Sequence, residues 1–130
     1  MSESQSLTLV QPAGRPAPAG HYSPGVVHGG VVYVSGQLGR GPDMSDAVAG
    51  DIAQQTQRAL AGVAEVLRAA GSDMSKLLKV NLYLSDVALW GAVNATYRQV
   101  LGEHRPARAI VPTGQLHYNA LIEIDAIAAV

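Results

Sequence analysis

The stretch RPARAIVPTGQLHYNALIEIDAIA, residues 105–128, is almost wholly apolar or small, yet it holds Arg108, Glu123 and Asp125. Arginine keeps its proton at any biological pH, and its planar fork suits a carboxylate held through two parallel hydrogen bonds. A glutamate in apolar surroundings exchanges protons at higher pH than one in water. Two readings follow. Arg108 forms a structural ion pair with Glu123 or Asp125. Alternatively, Arg108 receives the carboxylate of a small substrate while Glu123 handles a proton or a water. Both place Arg108 and Glu123 on neighbouring strands, projecting toward a subunit boundary where being unpaired is costly.

Other chemistries find less support. Cysteine is absent, which removes disulfides, thiolate nucleophiles and cysteine-based metal sites. His21, His28 and His104 fall far apart in sequence and in different elements, so no metal is expected. GQLGRG lacks the Lys and Ser/Thr of a phosphate loop. Nine Lys and Arg stand against ten Asp and Glu, with no basic run, so nucleic acid is not an expected partner. MSESQSLTLVQ lacks the basic start and apolar core of a secretory signal, and no apolar run approaches membrane-spanning length. A cytoplasmic protein is the expectation.

The elements that must position these groups can be read from periodicity. Residues 1–20 are rich in Ser, Pro, Ala and Gly; they read as irregular or extended, with 1–15 a flexible lead and 16–130 a single domain. VVHGGVVYVSGQL reads as a hairpin, with a strand at 26–27, a Gly29-Gly30 turn and a strand at 31–38. GRGPDM reads as a loop. From Asp51, Ile52, Thr56, Ala59, Leu60, Val63, Val66, Leu67 and Ala70 recur at helical spacing, and Gly71 stops the helix. KLLKVNLYLSD alternates, with Leu78, Val80, Leu82 and Leu84 on one face. A second helix follows a Ser85-Asp86 cap, carries Leu89, Val93, Tyr97 and Val100 on one stripe, and ends at Gly102. Strands at about 107–112 and 120–129 close the chain.

The order β-β-α-β-α-β-β predicts an α+β domain with two helices on one face of one sheet. Ile122, Ile124, Ala126 and Ala128 would face the helices. Leu121, Glu123, Asp125 and Ile127 would lie on the uncovered face, where apolar side chains call for cover by partner subunits. A charged fraction of only 15% fits a chain that meets other copies of itself.

HYSPGVVHGGVVYVSGQLG, DIAQQTQRALAGVAEVLRAAGSDMSKLLKVNLYLSDV, VNATY and the paired RPARAIV and LIEIDAIA resemble, in this order, the RidA (YjgF-type) family of reactive intermediate deaminases. The likeness runs from about Pro16 to Val130. It implies a chorismate-mutase-like fold and a homotrimer with sheets inward, helices outward and a cleft between each pair of subunits. The implied activity is hydrolysis of short-lived 2-enamine and 2-imine acids, such as 2-aminoacrylate, to 2-keto acids and ammonia without a cofactor or metal. The family arginine falls on Arg108, where it would bind the substrate carboxylate. The family glutamate falls on Glu123, where it would position or activate water. Tyr22 would line the cleft, Ser35 and Gly36 match the strand behind the site, and Asn94 matches a family asparagine.

Three departures bear on substrate. Ala109 follows the arginine where the family commonly has Ser or Cys. The loop before the last strand reads QLHYN, placing His117 and Tyr118 where Leu-Pro is common, and His117 joins the substrate-binding candidates. GQLGRGPDM puts Arg40 in a loop bordering the cleft. Three functions therefore compete: a general imine deaminase, a pathway-specific enzyme for a larger unsaturated amino acid resembling 2-aminomuconate, and a trimeric binding or regulatory protein without catalysis. Desolvation would raise the pKa of Glu123 and a close Arg108 would lower it; the sequence leaves both open.

Overall fold

The computed structural model describes residues 6–40 and 48–130. Its strands, in chain order, are β1 (Thr8–Val10), β2 (Gly25–His28), β3 (Val31–Leu38), β4 (Leu77–Leu84), β5 (Ala107–Pro112) and β6 (Ile122–Ala129). Helix α1 (Ile52–Ala69) joins β3 to β4, and α2 (Trp90–Leu101) joins β4 to β5. The strands form one sheet in the order β1-β2-β3-β6-β4-β5. β4 and β5 are parallel, the pairing a helical crossover permits, and the other neighbours are antiparallel. This is the α+β arrangement that the periodicity predicts, with one strand added at the front.

The local chemistry explains the boundaries. Gly29 and Gly30 both take positive φ, 61° and 78°, as the two-residue turn between β2 and β3 requires. Asp51 caps α1 by accepting from the Gln54 amide, while the Gln54 side chain accepts from the Asp51 amide. Gly71 ends the helix at φ 84°. Asp86 also caps, but what it caps is a short 3-10 turn (Val87–Leu89) that leads into α2.

Ile122, Ile124, Ala126 and Ala128 are buried under the helices, with Val80, Leu82 and Leu84 beside them and α1 contributing Leu60, Val63, Val66 and Leu67. Two apolar assignments need correction. β4 shifts register between Leu77 and Lys79, so Leu77 is buried and Leu78 is 49% exposed, the reverse of strict alternation. On α2, Thr96 joins Val93 and Tyr97 in the core, and Val100 faces out.

The N-terminal segment is also corrected. Within the expected flexible lead 1–15, Thr8–Val10 pair with β2 and Val10 enters the core. Arg15 is 7% exposed, and its guanidinium donates to Glu65 Oε1 at 2.7 and 3.0 Å, to Gln37 Oε1 at 3.0 Å and to the Gly62 carbonyl at 3.3 Å. A buried guanidinium is tolerable only when nearly all its donors are met, and here one helix and one strand meet them. The GRGPDM loop lies mostly outside the described residues. No helix among the described residues is long and apolar enough to cross a membrane.

Candidate functional site

Glu123 lies on the open face of the sheet, between the buried Ile122 and Ile124. Its neighbour β3 is interrupted there: Val34 pairs with Ala126 and Gln37 with Ile124, so Ser35 and Gly36 together oppose a single residue of β6. That bulge re-aims the strand, and it brings Gly36 directly beneath the Glu123 carboxylate. A Cβ on Gly36 would overlap the carboxylate oxygen Oε2. The Ser35 hydroxyl donates to the Ser23 carbonyl at 2.6 Å, tying the segment that carries Tyr22 to the bulge.

Around Glu123 opens a cleft of about 860 Å³, walled by Pro16–Gly20, Tyr22, Ser35, Gly36, Arg40, His117, Tyr118 and Glu123 itself. The loop before β6 has an unusual backbone. Tyr118 and Asn119 both take positive φ, 58° and 57°, a region that Tyr rarely enters. The outcome is a wall with the His117 and Tyr118 rings 3.8 Å apart and the Arg40 guanidinium 5.3 Å from the Tyr118 ring centroid.

Burial foremost, and the neighbouring Asp125 second, hold the Glu123 carboxyl above the ordinary glutamate range, while His117 pulls it back. Of the two directions the sequence left open, the chain favours the raised one. A carboxyl with a higher pKa folded than unfolded costs stability above the folded pKa and nothing below the unfolded one. Glu123→Gln should therefore raise Tm relative to wild type at pH 8, and the difference should shrink toward zero at pH 4. Thermal scans across that range check it; a difference independent of pH would contradict it.

Arg108 is elsewhere. β4 lies between β5 and β6, so the strands that carry Arg108 and Glu123 are two spacings apart, about 10 Å, and the register sets the two residues three positions apart along them as well. Arg108 pairs in register with Val80, whose side chain is fully buried on the helix side. Accordingly its guanidinium turns to α2: Nη1 donates to Asn94 Oδ1 at 2.8 Å, and Cζ lies 5.0 Å from the Tyr97 ring centroid and 5.6 Å from that of Trp90. The expectation that their strands are neighbours is thus overturned. So is the structural ion pair. Arg108 is exposed, and the one salt bridge among the described residues joins Arg15 and Glu65. Asp125 is engaged instead by Asn81 Nδ2 at 2.8 Å and by the Tyr83 hydroxyl at 2.9 Å. The hydrogen bond to Asp125 is also the chief reason the Tyr83 hydroxyl is harder to ionise than a free phenol.

The candidates therefore fall into two groups. Tyr22, Ser35, Gly36 and His117 gather round Glu123 on one face, and Asn94 stands with Arg108 on the other. Sequence reading missed Arg15, Trp90 and Tyr97 as participants. Trp90, Asn94 and Tyr97 do carry a signal, since spacings of four and three residues put them on one helical stripe. Arg15 and Glu65, 50 residues apart, carry none.

The endoribonuclease L-PSP family model matches residues 13–130. A RutC family protein from Pyrococcus abyssi is 35% identical over 113 residues, covering 87% of this chain and 89% of that one. The 2-iminobutanoate/2-iminopropanoate deaminase of Bos taurus is 35% identical over 120 residues, covering 92% and 88%. The crystal structure of the YjgF gene product from E. coli superposes with a TM-score of 0.87 at 32% identity, covering 94% of this chain and 98% of that one. With its fold, its sequence and nearly its whole length in agreement, the chain belongs to the RidA (YjgF) family, the one described as endoribonuclease L-PSP.

Proposed function

We propose that this protein hydrolyses 2-imino acids and their 2-enamine tautomers to 2-keto acids and ammonia, in clefts completed by two copies of the chain within a homotrimer. The observation that carries this reading is the separation just described. A proton-exchanging carboxyl in a cleft and an arginine with no carboxylate partner among the described residues lie on opposite faces. Neither group alone can hold and hydrolyse an amino-acid-like substrate; the arginine of one copy facing the glutamate of the next can. The open sheet face, with Tyr33 48% exposed and Ile127 half-buried opposite it, supplies apolar surface for such packing. The deaminase relatives support the substrate class.

In this mechanism Arg108 grips the substrate carboxylate through a charge-assisted pair and fixes the reacting carbon over Glu123. Protonated Glu123 delivers a proton to the terminal carbon of the enamine, converting C=C–NH2 to the iminium C–C=NH2+. Glu123, now ionised, takes a proton from water as the oxygen adds to the iminium carbon, giving a neutral carbinolamine. Glu123 returns that proton to the nitrogen, and as the C–N bond breaks the hydroxyl gives its own proton back to Glu123, which releases ammonia and leaves the 2-keto acid. The raised pKa of Glu123 suits a group that must both hold and lose a proton in the cycle. Because the substrate is itself reactive, placement and modest acid–base help suffice. The balanced, scattered charge favours a small acid over RNA as the ligand.

The breadth of the cleft favours a second reading of the natural substrate, an unsaturated amino acid larger than 2-aminoacrylate, lying along Tyr118 and Arg40. The test is direct. With 2-aminoacrylate generated in situ, keto acid should form faster with the wild-type chain than in buffer. Equal rates would end the general deaminase reading. Equal rates with a longer-chain enamine acid as well would leave a binding protein without catalysis.

A further inference from the structure

We propose that Trp90 and Tyr97 are positioning residues that hold the Arg108 guanidinium in place by its faces and leave its N–H edge open for a carboxylate. This rests on the reading of Arg108 as the carboxylate-binding group, and it explains how an exposed arginine at a sheet edge is ordered in advance. Trp90, Asn94 and Tyr97 form one stripe of α2, and all three meet the same side chain of β5. Both rings lie within the range in which an aromatic face attracts a cation. Such contacts hold the charge without consuming donors. Of the five N–H groups, the one bond Arg108 makes among the described residues uses the Asn94 oxygen, so its remaining donors stay available.

The two rings differ in their setting. Tyr97 is 6% exposed and forms the floor, anchored in the core, whereas Trp90 is 43% exposed and forms the outer wall. The Tyr97 hydroxyl is buried without a hydrogen-bond partner among the described residues, so substituting this residue would disturb the core. Trp90 is the cleaner position to test. Ordering the arginine before the ligand arrives removes part of the entropy cost of binding, so its loss should weaken binding more than the chemical step.

Trp90 is the only tryptophan in the chain and therefore also a built-in reporter. The full-length protein would be titrated with pyruvate, an unreactive carboxylate, while its emission is followed; kinetics would use 2-aminoacrylate. The emission of the wild type should change saturably, and that of Arg108→Ala should not. Trp90→Leu should raise KM about three- to ten-fold with kcat within about two-fold, and Trp90→Phe should restore KM. A wild-type KM in Trp90→Leu, or a Phe variant as impaired as the Leu variant, overturns the positioning role while leaving Arg108 as the carboxylate site. A wild-type KM in Arg108→Ala overturns the underlying reading instead. Emission unmoved by pyruvate while the kinetics saturate would show that carboxylates bind away from this cage.

Discussion

Arg108→Ala subunits assembled together with Glu123→Gln subunits should recover about one quarter of wild-type activity, although each variant alone is nearly inactive. The figure follows from counting. In a closed ring where each site takes its arginine from one chain and its glutamate from the next, an equal mixture makes a site intact with probability one half times one half. Arg108→Ala alone removes the only cation proposed to grip the substrate and should lower kcat/KM about 100- to 1,000-fold, the range for truncating one partner of a desolvated charge pair. It should remain folded, since the guanidinium is exposed and its loss strands no buried carboxylate. Co-expression of the two differently tagged variants in equal amounts, confirmation that mixed oligomers form and an assay of keto-acid release on the whole random mixture check the prediction. Absence of recovery in verified mixed oligomers would mean that both groups serve from the same chain, which the placement of β4 between β5 and β6 argues against.

Gly36→Ala should lower kcat about 100-fold while leaving binding of simple carboxylates nearly intact, because misplacing a reacting group by about 1 Å has that scale of effect. The reason is steric. The added methyl would occupy the space of the Glu123 carboxylate, and backbone at the bulge leaves the glutamate side chain as the element that must yield. The Arg108 group is untouched by this change, so KM should move little and pyruvate should still perturb Trp90. Gly36→Ala with wild-type kcat would show that the position of the Glu123 carboxylate is not critical to turnover.

Much of this fold was legible in periodicity. The buried set on β6, the capped and glycine-terminated α1, and the Gly29-Gly30 hairpin all follow from local rules that tertiary packing leaves intact. What escaped was everything set by register. The shift at Leu77 and Lys79 turns Leu78 outward, and the bulge at Ser35 and Gly36 turns Gln37 inward to Arg15. Neither leaves a trace in hydrophobicity, because a bulge is decided by two strands at once. The same holds for the site. Arg108 and Glu123 were identifiable as residue types in a telling context, and the resemblance carried their roles. Their separation depends on β4 inserting between β5 and β6, and their opposite faces on Arg108 pairing with Val80 while Glu123 pairs with Tyr83, facts of topology and register that no local pattern encodes.

Pro16–Gly20 belongs to no strand or helix, yet it walls the cleft, and the Arg15 clamp to Glu65 and Gly62 fixes where it starts. The mouth of the pocket thus takes its shape from a helix distant in sequence. Variation at Glu65 or Gly62 can retune which molecules enter without altering a single residue that touches them.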